Sequence, residues 1–272
     1  MQGHTKLSIA GAIASAGGVL AGMPLALHTW NETTFDGFIY LLLALGLGIY
    51  RNPRNAAQPP ASWIIAVVAL AIVSIAAGMQ SDVQAVTLLG YALCSICLLY
   101  FLLPGIRRAD EMWAIIALVF CGVPFWMVAV PILQYLATSI SVALLQLSGL
   151  SLWQEGFVVS VPNGTFLVDL GCSGFRYVCS AIAIATIYAK TGQLNTAKSL
   201  LLVASAACTA ILANGIRIAW IIHVGNETEM RSSLVEDHAW LGWVIFALTV
   251  VPLCAYLGNR MERSMQIETP RS

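Results

Sequence analysis

Apolar residues in this chain run in long blocks rather than alternating with polar ones. Stretches long enough to cross a hydrocarbon core, which takes about 20 residues, fall at approximately 7–27, 34–50, 61–78, 83–103, 112–131, 173–189, 199–225 and 239–257. The pattern predicts an all-α polytopic membrane protein with about eight transmembrane helices. Lys6 precedes the first block, which exceeds a typical signal-peptide core and reads as a membrane helix. The polar connections are short except between 132 and 172, and neither a soluble domain nor an internal repeat is visible.

That long connection has two parts. From Leu133 to Trp153 it is apolar, with Leu133, Leu136, Ile140, Leu144 and Leu147 at helical spacing and Gln134, Thr138, Ser141 and Ser148 largely off the stripe. This predicts an amphipathic helix lying at the outer interface. From Gly156 to Leu170, valines before and aromatic or branched residues after Pro162-Asn163-Gly164 predict a short β-hairpin. The hairpin leads directly into Cys172.

Charge orients these helices. Thirteen basic residues balance thirteen acidic ones, so no cationic excess points to nucleic acid. If the eight spans alternate with both termini in the cytoplasm, then Lys6, Arg51, Arg54, Arg107, Arg108, Lys190, Lys198, Arg260, Arg263 and Arg271 all lie inside, as the positive-inside rule requires. Arg176, Arg217 and Arg231 remain elsewhere. A full crossing by 133–153 would turn Lys190 and Lys198 outward, which favours the interfacial placement. Only 10% of the 272 residues are charged and 59% are hydrophobic, with mean hydropathy +0.82, where a soluble domain is roughly a quarter charged. The expected location is a bacterial inner membrane. The expected organisation is an N-terminal four-helix region over 1–110, a membrane core over 111–257 and a cytoplasmic tail over 258–272.

Three chemically capable groups converge on the outer face by this topology. Cys172 stands at the entry to the sixth span, Arg217 within the outer half of the seventh and His238 at the start of the eighth. An ionisable residue inside a span is a functional-site hypothesis by default. A thiol near a helix N-terminus and a cation is primed as a nucleophile, imidazole exchanges protons near neutrality, and a guanidinium fork suits a developing oxyanion. Asn214, one turn before Arg217, can orient it. Arg176 is a second cation near Cys172, and Asp169 is the nearest outer-face carboxylate with which Arg217 can pair in a purely structural role. The seven cysteines lack disulfide-framework or zinc-site spacing, and the pattern calls for no cofactor or metal.

Four blocks in order carry a family resemblance: Gln154-Glu155-Gly156 with Val161-Pro162-Asn163-Gly164; Gly171-Cys172-Ser173-Gly174-Phe175-Arg176-Tyr177; Ala213-Asn214-Gly215-Ile216-Arg217; and His238-Ala239-Trp240-Leu241-Gly242-Trp243 with Phe246. They resemble the exosortase/archaeosortase family over residues 112–257, although Phe175 stands where Leu or Ile is more usual. The resemblance implies a membrane cysteine transpeptidase with Cys172, Arg217 and His238 as catalytic residues. Its substrates would be exported proteins ending in a short motif such as Pro-Glu-Pro, a membrane helix and a basic tail. The acceptor would be a lipid or cell-envelope group, with no nucleic acid involved.

Two other readings stay open at this level. Cys94-Ser95-Ile96-Cys97 has the C-x-x-C spacing of a membrane thiol-disulfide oxidoreductase. A non-enzymatic transporter or assembly scaffold is the second, and its polar groups would line several helices at mid-membrane.

Overall fold

The computed structural model describes residues 40–47, 62–81, 83–102, 109–123, 129–236 and 239–268. The expected span at 7–27 lies outside them, and of the span at 34–50 residues 40–47 are described and helical. The chain divides into two compact units, Met1–Val128 and Ala129–Ser272.

In the first unit α1 (Ser62–Ser81) and α2 (Gln84–Leu102) form a tight helical pair. Gly90 permits their contact, because a β-carbon there would lie 2.5 Å from the Ile75 side chain. The expected span at 112–131 is shorter in the structure. α3 runs Ala109–Gly122 and stops, because Val123 precedes Pro124, and the residue before a proline is driven out of helical geometry.

The second unit begins with α4 (Val130–Leu147), which carries a proline in its first turn, a position that tolerates the missing N–H. This is the segment expected at the interface, and its polar side packs on the protein. Gln134, Thr138 and Ser141 are buried against the protein, while Ile132, Tyr135 and Leu147 are exposed. Leu133, Val142 and Leu145 are buried beside them, so the face that α4 packs on the protein is mixed; by length and composition alone the helix could cross a membrane. The polar groups are satisfied internally: Gln134 Nε2 donates to the Val168 carbonyl at 2.7 Å, and Thr138 Oγ1 donates to the Gln134 carbonyl at 2.8 Å.

The expected hairpin is a three-stranded antiparallel sheet, β1 (Trp153–Glu155), β2 (Val158–Val161) and β3 (Gly164–Leu167) in that order. The extra strand is joined to β2 by Gly156-Phe157, and Gly156 has φ 58°, the backbone that a II′ hairpin turn requires of its first central residue. Val161 pairs with Gly164, so the second turn centres on Pro162-Asn163 rather than Asn163-Gly164. Val159, Val161 and Val168 pack on Val142 and Leu145 of α4.

After a 3-10 turn, Leu170–Cys172, come α5 (Phe175–Thr191), α6 (Thr196–Glu227), the short α7 (Ser233–Glu236) and α8 (Ala239–Glu268). Asn195 caps α6 by accepting from Lys198 N at 2.9 Å. α4, α5 and α8 all pack on α6. The contact faces carry small residues, Ala181, Ala185 and Ala189 on α5 with Ala206, Ala210 and Ala213 on α6, while Leu200, Leu212, Leu248 and Val251 point outward. Small residues inside and leucines outside are the packing expected in lipid, where close backbone approach replaces the hydrophobic drive.

Tyr177 and Tyr188 of α5 abut Gly242 and Gly258 of α8, so these two helices run the same way. Lys198 Nζ donates to Ser264 Oγ at 2.9 Å, which joins the start of α6 to the end of α8. α6 therefore runs opposite to both, the alternation expected of three successive crossings.

Candidate active site

The connection from β3 to α5 presents Cys172. Asp169 begins it: its carboxylate accepts from Leu170 N at 2.7 Å, and its carbonyl accepts from Cys172 N at 2.9 Å. The turn ends at Gly174, with φ 80°, where a β-carbon would also lie 2.7 Å from the Asn214 amide. No other residue type meets both demands. Cys172 is half-buried against the cluster formed by α4, the sheet and α6.

Asn214 then ties this connection to α6. Its Nδ2 donates to the Cys172 carbonyl at 2.8 Å, and its Oδ1 accepts from Arg217 Nη1 at 3.5 Å. Arg217 is only 6% exposed. Its Cζ sits 5.7 Å from the centroid of the Tyr177 ring, within the range of cation–π attraction. Beside Tyr177 stand two aromatics of α8, Trp243 at 5.2 Å and edge-on, and Phe246 at 5.9 Å and stacked. A β-carbon on Gly242 would lie 1.8 Å from the Tyr177 hydroxyl and 2.9 Å from Arg217 Nε. Tyr177, Ala210, Ala213, Asn214, Arg217, Gly242 and Phe246 line a narrow crevice, closed too tightly to admit a water-sized sphere.

Of the residues singled out in the sequence, the structure brings together Cys172, Asn214 and Arg217. His238 lies outside the described residues; α8 starts at the next residue, Ala239. Arg176 is exposed on α5, and the exposed Asp169 carboxylate caps its own turn. Cys94 and Cys97 are 0% and 2% exposed in α2, their C-x-x-C pair turned into the packing of the first unit.

Sequence reasoning gave no role to Tyr177, although it stands inside the block around Cys172. Its signal was an aromatic in that block matched by Trp243 and Phe246, three residues apart in another. Two latches of the sheet had no local signal. Gln134 reaches Val168, and Asn163 makes two bonds to Asn226, from its N to Oδ1 at 3.1 Å and from its Nδ2 to the carbonyl at 3.0 Å.

A family model described as transmembrane exosortase matches residues 29–255. The chain belongs to the transmembrane exosortase family. The match extends over helices that looked like generic spans in the sequence. No curated protein and no solved structure matches. Exosortases are membrane cysteine-type peptidases and transpeptidases that act on exported proteins with C-terminal sorting signals. In this exosortase, Cys172 and Arg217 stand on opposite sides of one asparagine amide, so a single side chain sets the spacing between thiol-bearing backbone and cation.

Proposed function

We propose that this protein cleaves the C-terminal sorting signal of exported proteins at the outer face of the bacterial inner membrane and transfers the acyl group to a lipid or cell-envelope acceptor. Both termini lie in the cytoplasm in this reading. The observation that carries it is the Asn214 amide, bonded to the Cys172 carbonyl on one side and the Arg217 guanidinium on the other. Depth supports it as well. Nineteen residues of α6 separate Lys198 from Arg217, about 28 Å of helix, close to the ~30 Å thickness of a hydrocarbon core.

The proposed chemistry follows from these groups. His238 takes the Cys172 proton as sulfur attacks the scissile carbonyl, and Arg217 donates to the resulting oxyanion. The C–N bond then breaks, the departing amine takes the proton from His238, and a thioester remains on Cys172. The acceptor's nucleophile gives its own proton to His238 and attacks that thioester, and the proton returns to the Cys172 sulfur. Asn214 fixes the relative positions of nucleophile and cation throughout.

The test pairs two cysteine changes with labelling. Cys172→Ala leaves the target uncleaved while the enzyme accumulates at its normal level, and Cys97→Ala processes normally. A membrane-impermeant thiol reagent labels Cys172 in intact spheroplasts, and mass spectrometry finds the target's acyl group on Cys172. Normal processing by Cys172→Ala, or loss of processing in Cys97→Ala alone, would install the thiol-disulfide reading instead.

A further inference from the structure

We propose that Tyr177 is a positioning residue for Arg217, its ring acting as a floor that holds the guanidinium in the plane from which it meets the carbonyl at Cys172; this rests on the function proposed above. The tyrosine meets its surroundings at two places. Its ring lies 5.7 Å from Arg217 Cζ. Its hydroxyl is so close to the Gly242 backbone that a β-carbon there would fall 1.8 Å away, and the same position would fall 2.9 Å from Arg217 Nε. The π face is thus given to the cation, while the hydroxyl end lies where α8 and the inner end of the guanidinium meet.

An arginine needs such a floor here for a physical reason. Its side chain is long and rich in rotamers, and the 3.5 Å bond from Nη1 to Asn214 fixes one corner of a planar fork without setting its tilt. The ring adds a restraint, because cation–π attraction holds the guanidinium over an aromatic face. The ring itself packs on Phe246 and Trp243, which also contact each other at 5.8 Å. α8 therefore controls the tilt of a cation that belongs to α6.

The test compares Tyr177→Phe, which keeps the ring, with Tyr177→Met, which fills similar space without a π face. The readout is the ratio of alkylation rates at Cys172 by anionic iodoacetate and neutral iodoacetamide, measured by peptide mass spectrometry on full-length protein in lipid particles. A cation held beside the thiol raises that ratio, as Arg217→Gln checks by lowering it. Tyr177→Phe, which keeps the ring, should lose clearly less of the ratio and of the cleavage rate than Tyr177→Met. Tyr177→Met should lower the ratio and reduce kcat about tenfold with KM little changed. Phe246→Leu, which removes the backing without touching Tyr177, should give a smaller loss of the same kind and serves if Tyr177→Met fails to accumulate. A wild-type ratio and rate in both Tyr177→Met and Phe246→Leu would overturn the proposal, and so would a loss in Tyr177→Phe equal to that in Tyr177→Met, since the hydroxyl would then be the active part. If Cys172→Ala still processes target while the ratios behave as expected, the transpeptidase reading fails and the positioning of Arg217 stands.

Discussion

The two ends of the α5–α6–α8 bundle are built alike. Each has a tyrosine of α5 driven into a glycine of α8, Tyr177 against Gly242 and Tyr188 against Gly258. Each also has a nearly buried cation, Arg217 at 6% and Lys190 at 5% exposure. Their surroundings differ. Lys190 stands in the last turn of α5, where the helix dipole favours positive charge, and Tyr188 has its hydroxyl donated to Asn259 Oδ1 at 2.8 Å. Arg217 lies ten residues inside the end of α6, too far for a terminal dipole to act on it, and it faces an asparagine bound to Cys172. Burial of a cation alone therefore does not distinguish the ends; the helix terminus accounts for Lys190 and not for Arg217.

Four substitutions sharpen this contrast. The largest effect belongs to Arg217→Lys. If the guanidinium holds an oxyanion with a fixed fork, processing should fall about a hundredfold to a thousandfold at an unchanged protein level, because an ammonium cannot reproduce planar two-donor geometry. Near-normal processing would demote Arg217 to the structural class of Lys190. Next comes the matched pair Gly242→Ala and Gly258→Ala. Both insert a methyl into a tyrosine and should cost stability by roughly 1–3 kcal/mol, seen as lowered melting of the purified protein. Only Gly242→Ala should also slow cleavage per folded molecule, by about tenfold, the loss expected when the Tyr177 floor shifts; equal kinetic losses at both glycines would erase the distinction between the ends. The smallest effect is expected from Lys190→Gln. Removing a favourable terminal charge costs on the order of 0.3–1 kcal/mol, and the cleavage rate per folded molecule should stay within about twofold.

Much of the site was legible along the chain because each block is short and its residues are covalent neighbours. Asn214 and Arg217 sit three apart on one helix, so their contact follows from helical geometry, and Gly171-Cys172-Ser173-Gly174 announces a turn. The face that α4 packs on the protein was not legible. Leu133 of the leucine stripe is buried beside Gln134 and Thr138 while Leu136 and Leu147 are exposed, and spacing along the chain does not say which of these meets the rest of the protein. The third strand failed for a different reason. Trp153–Glu155 is three residues long, below the length at which alternation is readable.

By itself the sequence determined the helical membrane class, the order of the last three crossings and the residue types available at one face, because hydrophobic length and local motifs are properties of adjacent residues. The tertiary structure decided what those residues meet. Asn214 reaches a carbonyl 42 positions away, Gln134 one 34 away, and Arg217 lies over a ring of α5 that packs on Phe246 of α8. Such contacts depend on the crossing of helices and on which glycines let them approach, and no window along the chain contains both partners.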